Sequence, residues 1–130
     1  MGLLTQMVGY EALPGLNVVY LEDSFVLAIR ERSHELCFEL EAVLTPEHPD
    51  YVAPPGNEQY CYRRGTLCFD AAQINWLRRS EGRYRDASGE EDLGNIDVFL
   101  AEEGRYYLEG DWGGVEIETN VAPRLQLFAN

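Results

Sequence analysis

Lysine is absent from this chain, so all ten basic residues are arginine. That excludes Schiff-base catalysis and the lysine a P-loop places against a nucleotide's phosphates. Histidine is scarce: His34 and His48 are the only imidazoles. His34 lies three residues before Cys37, which on a strand puts the two side chains on opposite faces and argues against a shared metal. Cys37, Cys61 and Cys68 form an odd set without a Cys-x-x-Cys pair, so redox catalysis has no motif. No Gly-x-Ser-x-Gly elbow occurs, and Ser24 or Ser33 with His34 and Asp23 are neighbours in sequence only, which is not triad geometry. No apolar run approaches the roughly 20 residues of a membrane-spanning helix. A basic segment is missing before the first apolar residues, and Gln6 stands where a myristoylation signal wants Ser or Thr. The expectation is a cytoplasmic protein with reduced thiols, no catalytic residue set, no metal and no cofactor.

What is present describes a small folded unit. With 130 residues, 45% hydrophobic and 12% aromatic, the chain has enough apolar surface for one packed core, so a single domain over residues 1–130 is expected. The formal net charge of −13 repels nucleic acid and anionic membranes and attracts cationic partners. Between Gln59 and Arg85, six arginines (63, 64, 78, 79, 83 and 85) outnumber Asp70 and Glu81, a local net of +4. Pairing with acidic neighbours in the same fold accounts for that segment more simply than an anion site, because Arg78 and Arg79 are consecutive and point to opposite faces of a strand.

Period-two alternation dominates from Leu16 onward. Phe25, Leu27 and Ile29 alternate with Val26, Ala28 and Arg30, and Leu36, Phe38 and Leu40 alternate with Cys37, Glu39 and Glu41, with a turn at residues 31–34. The stretch Thr45–Glu58 holds Pro46, Pro49, Pro54 and Pro55 and is read as a loop. Tyr60, Tyr62, Leu67 and Phe69 mark one bent strand or a hairpin at Gly65, the latter bringing Cys61 to Cys68, and Ile74 with Trp76 marks the next strand. Four more strands carry Ile96, Val98 and Leu100, then Tyr106 and Leu108, then Val115 and Ile117, then Leu125 and Leu127. About eight antiparallel strands imply an all-β sandwich or small barrel. Residues 1–15 form a short helical turn or a loose arm.

With apolar residues inward, Glu39, Glu41, Asp97, Glu109, Glu116 and Glu118 face water. The candidate binding set is these six with Asp111 and Trp112, read as an acidic sheet face with an aromatic and the proline-rich loop at its rim. It would dock a basic protein surface, with charge speeding encounter and aromatic anchors supplying affinity. The alternative is a small-ligand or carbohydrate-active cleft in which Glu109, Asp111, Glu116 and Glu118 flank a sugar stacked on Trp112. Residues 86–97 concentrate oxygen ligands but lack the glycine placement of an EF-hand, so a solvated acidic loop is expected there. An unpaired edge strand would leave a homodimer open.

The segments Tyr20–Ser24, Leu44–Pro49, Gln59–Arg63 and Glu109–Gly113 resemble landmarks of small bacterial proteins of uncharacterised function, a resemblance that spans most of the chain and implies no activity. The compact acidic all-β layout is similar in class and charge to some immunity proteins of bacterial toxin systems. That similarity implies a partner inhibited by occlusion.

Overall fold

In the computed structural model the described residues are 7–56, 58–80, 84–85 and 91–129, with only the backbone described at 84, 85 and 91. The strands are β1 (Val8–Gly9), β2 (Val19–Arg32), β3 (Glu35–Leu44), β4 (Cys61–Phe69), β5 (Gln73–Arg79), β6 (Tyr84–Arg85), β7 (Glu91–Asp92), β8 (Val98–Glu102), β9 (Arg105–Gly110), β10 (Gly113–Glu118) and β11 (Arg124–Leu127). One sheet has the order β1-β8-β9-β10-β5 and the other β11-β4-β3-β2, while β6 and β7 pair as a small ribbon. Every pairing among the described residues is antiparallel. The two large sheets pack as a sandwich with no closed barrel, which decides between the two expected architectures. No helix among the described residues is long and apolar enough to cross a membrane.

The core lies between the sheets. Leu36, Phe38, Leu40, Leu67 and Phe69 enter it from one side, and Phe99, Tyr106, Leu108, Val115 and Ile117 from the other. In β3, β9 and β10 the alternation reads as expected. In β2 it does not, because bulges shift its pairing with β3 between Tyr20 and Phe25 and again between Val26 and Ala28. The first shift reverses the phase, so Phe25 stands opposite Glu41 while Val26 is opposite Leu40 and fully buried, and the second, of one residue, sets Ile29 opposite Phe38. In β8 the phase is inverted as well: Phe99 and Ala101 are buried, and Val98 and Leu100 lie on the outer surface.

Residues 7–15 are not a loose arm. Val8–Gly9 pair with β8 and Tyr10–Ala12 form a 3-10 turn that drives the Tyr10 ring into the core beside Phe99. The Tyr10 hydroxyl accepts from the Leu21 amide at 3.0 Å and donates to Glu22 at 2.6 Å, and Ser24 Oγ accepts from the Val43 amide at 2.9 Å. These two side chains satisfy backbone groups that the broad bulge of β2 would leave unpaired.

β4 is one continuous strand, so no hairpin forms at Gly65. A Cβ there would lie 2.4 Å from the Gln126 carbonyl oxygen, so the glycine serves the close approach of β11. Cys61 and Cys68 therefore stand at opposite ends of one strand. The partner of Cys68 is Cys37, directly opposite on β3 and joined to it in a disulfide, which corrects the expectation that all three thiols are reduced. Cys61 is the free cysteine.

Candidate functional site

The outer surface of the five-stranded sheet is built from three rows of side chains. Register places Leu100, Tyr107, Glu116 and Asn75 in one row, Val98, Glu109, Gly114 and Arg78 in the next, and Glu102, Arg105, Glu118 and Gln73 in the third. Leu77 is the extra residue of a bulge where β5 pairs with Gly114 and Val115, and its side chain is 55% exposed. A trough of about 510 Å³ opens here, lined by Met7, Leu77, Arg105, Tyr107, Glu109 and Glu116. Its lining combines the apolar Met7 and Leu77 and the Tyr107 ring with Arg105 and the carboxylates Glu109 and Glu116.

Tyr107 lies along this trough. Tyr106 occupies the core, so alternation turns Tyr107 outward, and the missing side chain at Gly114 leaves the phenol room: a Cβ there would be 3.3 Å from the hydroxyl. The hydroxyl donates to Glu109 Oε1. That hydrogen bond to a carboxylate, with partial burial, raises the phenol above its ordinary range. Arg105 reaches Glu102 at 3.4 Å and Glu116 at 3.5 Å, so one cation is shared by two acids. Glu118 is exposed at the end of β10.

Asp97 precedes β8, and its amide donates to the Glu109 carbonyl at 2.9 Å. Desolvation, followed by repulsion from Asp111 and Glu109, raises its carboxyl above the ordinary value. Asp97, Glu109 and Asp111 thus gather at one corner of the sheet. No group of histidine, cysteine and carboxylate side chains able to hold a metal exists among the described residues.

The expected binding set is divided by this geometry. Asp97, Glu109, Asp111, Glu116 and Glu118 belong to the five-stranded sheet and its margin. Glu39 and Glu41 lie on β3, on the far side of the sandwich, where Glu39 meets Arg30 at 3.0 Å and Glu41 meets Arg64 at 3.7 Å. One continuous acidic face is therefore corrected to two faces separated by the core. Trp112 also requires correction as a rim anchor: it is 0% exposed, packs on Phe38 and Trp76, and donates to the Asn95 carbonyl at 2.9 Å. The proline-rich loop is likewise on the other side of the molecule, where Asp50 meets Arg63.

Intramolecular contacts absorb much of the arginine-rich segment. Arg63 pairs with Asp50 at 3.3 Å, Arg78 donates to the Gly110 carbonyl at 3.1 Å, and Arg79 lies 4.2 Å over the Trp76 ring. The side chains of Arg83 and Arg85 lie outside the described residues. So do Asp86, Ser88, Gly89 and Glu90 of the oxygen-rich stretch and the side chain of Glu91. Of the remainder, Asp92 accepts from the Gly94 amide at 2.7 Å and Asn95 donates to the Ser24 carbonyl at 2.6 Å. Ser24 is fully buried and committed to the β2 bulge, which removes it from any nucleophilic role.

Tyr107, Leu77, Leu100 and Val98 were not in the expected set. Tyr107 had a readable signal, since one of two adjacent tyrosines in a half-buried strand must face out. No sequence signal marks Leu77, which is displaced by a bulge.

No family model, curated protein or solved structure matches the chain. The functional reading therefore rests on its own residues.

Proposed function

We propose that this protein is a non-catalytic binding module that docks a basic protein partner on the outer surface of its five-stranded sheet. The observation that carries this reading is the pattern there: Leu100 and Tyr107 stand side by side in one row, Glu116 lies between them and β5, where Leu77 is exposed, and Glu102, Glu109, Glu116 and Glu118 outnumber Arg78 and Arg105 among the charged positions. Aromatic and aliphatic anchors set among charged groups are what a protein interface uses. The net charge of −13 supports a cationic partner and a fast, salt-sensitive encounter. In the bacterial immunity-type form of this proposal, the partner is a basic toxin, the setting is the cytoplasm and inhibition is by occlusion.

The test is amide-resolved NMR titration with an arginine-rich peptide containing one tryptophan, at low and high salt. The expected shifts cluster at residues 98–102, 105–109 and 114–118, weaken with salt, and fall in Glu109→Gln/Glu116→Gln but not in Glu39→Gln/Glu41→Gln. Shifts confined to β3 and β4, or insensitive to salt, would overturn the proposal.

A small-ligand role is the second reading, favoured by the trough itself, whose volume of about 510 Å³ falls in the range of small-molecule sites. Trp112 has no part in such a cleft because it is buried. Saturable binding of a neutral oligosaccharide that displaces the peptide would favour this reading.

A further inference from the structure

Across the outer surface of the four-stranded sheet, register sets Arg30 opposite Cys37, Cys37 opposite Cys68, and Cys68 opposite Arg124. A disulfide thus lies in one row between two guanidinium-bearing positions, facing away from the core. We propose that the Cys37–Cys68 bridge is a thiol–disulfide exchange site, opened by a low-molecular-weight thiol that attacks Cys37.

Three features lead there. The bridge joins strands already held by nine consecutive register pairs from Leu36–Phe69 to Leu44–Cys61, so opening it leaves the ladder in place. The core residues that flank it in sequence, Leu36, Phe38, Leu67 and Phe69, point the opposite way, so opening it exposes no apolar surface. The two sulfurs also differ in access, because Cys37 is half-buried whereas Cys68 is 5% exposed. An exchanging thiolate needs one reachable sulfur, and Cys37 is the more reachable of the two.

The exchange is balanced as follows. The thiolate of the small thiol attacks Cys37 Sγ, the S–S bond breaks, and the electron pair leaves on Cys68 Sγ. Cys37 is then a mixed disulfide. A second small thiolate displaces Cys37, giving the small-molecule disulfide and two protein thiols. Two electrons pass from the two small thiols to the bridge, and their two protons end on Cys37 and Cys68.

The charged residues around the pair favour this direction of attack. Arg32 is opposite Glu35 and Arg30 meets Glu39 at 3.0 Å on the Cys37 side, while Arg124 meets Asp70 at 3.2 Å on the Cys68 side. Each carboxylate is drawn to its own arginine, and the arginines hold the positions directly across from the sulfurs. A thiolate leaving on Cys68 departs from the position directly across from Arg124 in the register of β4 and β11, and a cation close to a thiolate stabilises it.

The test uses the folded full-length protein with 2-mercaptoethanol, a neutral monothiol that removes any steering by reagent charge. Samples are acid-quenched over time and mapped by peptide mass spectrometry. Under native conditions the expected result is opening through an adduct on Cys37, with unchanged β-sheet circular dichroism. Arg124→Gln should slow opening several-fold, and Arg30→Gln, on the side of the attacked sulfur, should do so less. Both change exposed ion pairs and should fold normally. A bridge that opens only in denaturant, an adduct confined to Cys68, or an Arg124→Gln rate equal to wild type would each overturn the proposal.

Discussion

The Tyr107 hydroxyl donates to Glu109, two residues along the same strand, and this contact ties the aromatic ring in the trough to one of its carboxylates. The carboxylate holds the phenolic proton, so Tyr107 ionises above its ordinary range. The folded value lies above the unfolded one, so the contact's contribution to stability is present below about pH 10 and lost as pH rises through the folded value. In absorbance titrations, with Tyr107→Phe subtracted to isolate the signal, Glu109→Gln should lower the Tyr107 midpoint toward that of a free phenol. An unchanged midpoint would show that Glu109 does not hold the proton.

Asp97 is shifted in the same sense, at a carboxyl group. Desolvation and repulsion from Asp111 and Glu109 disfavour its charged form, so stability is lower above the folded pKa and is recovered as pH falls through it. Asp97→Asn should raise stability at neutral pH by less than about 1 kcal/mol, because the residue is exposed. The gain should vanish in acid. Urea midpoints measured at neutral and acidic pH check both halves of this expectation.

Trp112 is a core residue in a turn. Trp112→Ala should cost about 3–5 kcal/mol, since a fully buried indole is removed and the Asn95 carbonyl loses its donor. Trp112→Phe should be milder and should leave binding of the basic peptide unchanged. A specific loss of binding in folded Trp112→Phe would return this side chain to the interface.

Tyr10→Phe removes one oxygen but leaves the Leu21 amide buried without its acceptor. The expected cost is about 1–3 kcal/mol, read from the shift in denaturant midpoint at constant slope. A shift near zero would mean that water replaces the phenol.

The sequence was most legible where a strand has one wet face. In β3, Leu36, Phe38 and Leu40 alternate with Cys37, Glu39 and Glu41, and only one orientation buries the apolar set. β8 offered no such contrast, because Phe99 and Ala101 face the core while Val98 and Leu100 line the outer surface, and apolar residues on both sides carry no phase. The bulge that reverses Phe25 and Val26 is hidden for the same reason. For the candidate site, alternation tells inward from outward but not which sheet a strand joins. Glu39 and Glu116 therefore read alike, although the core separates them. The burial of Trp112 depends on Phe38 of β3, far away in sequence, and turn chemistry at Asp111–Gly114 gives no hint of it.

The segment from Leu93 to Asp97 belongs to both layers of the sandwich. The Leu93 amide donates to the Val26 carbonyl and the Gly94 carbonyl accepts from the Val26 amide, both at 2.8 Å, while the Asn95 carbonyl receives the Trp112 indole and the Asp97 amide reaches β9. Five residues act as a buckle, so the layers cannot slide past each other without undoing it. Slow, matched deuterium uptake at the Leu93 and Asp97 amides would be its signature, and a faster rate there than in β3 or β10 would mark the clasp as the place where the molecule first comes apart.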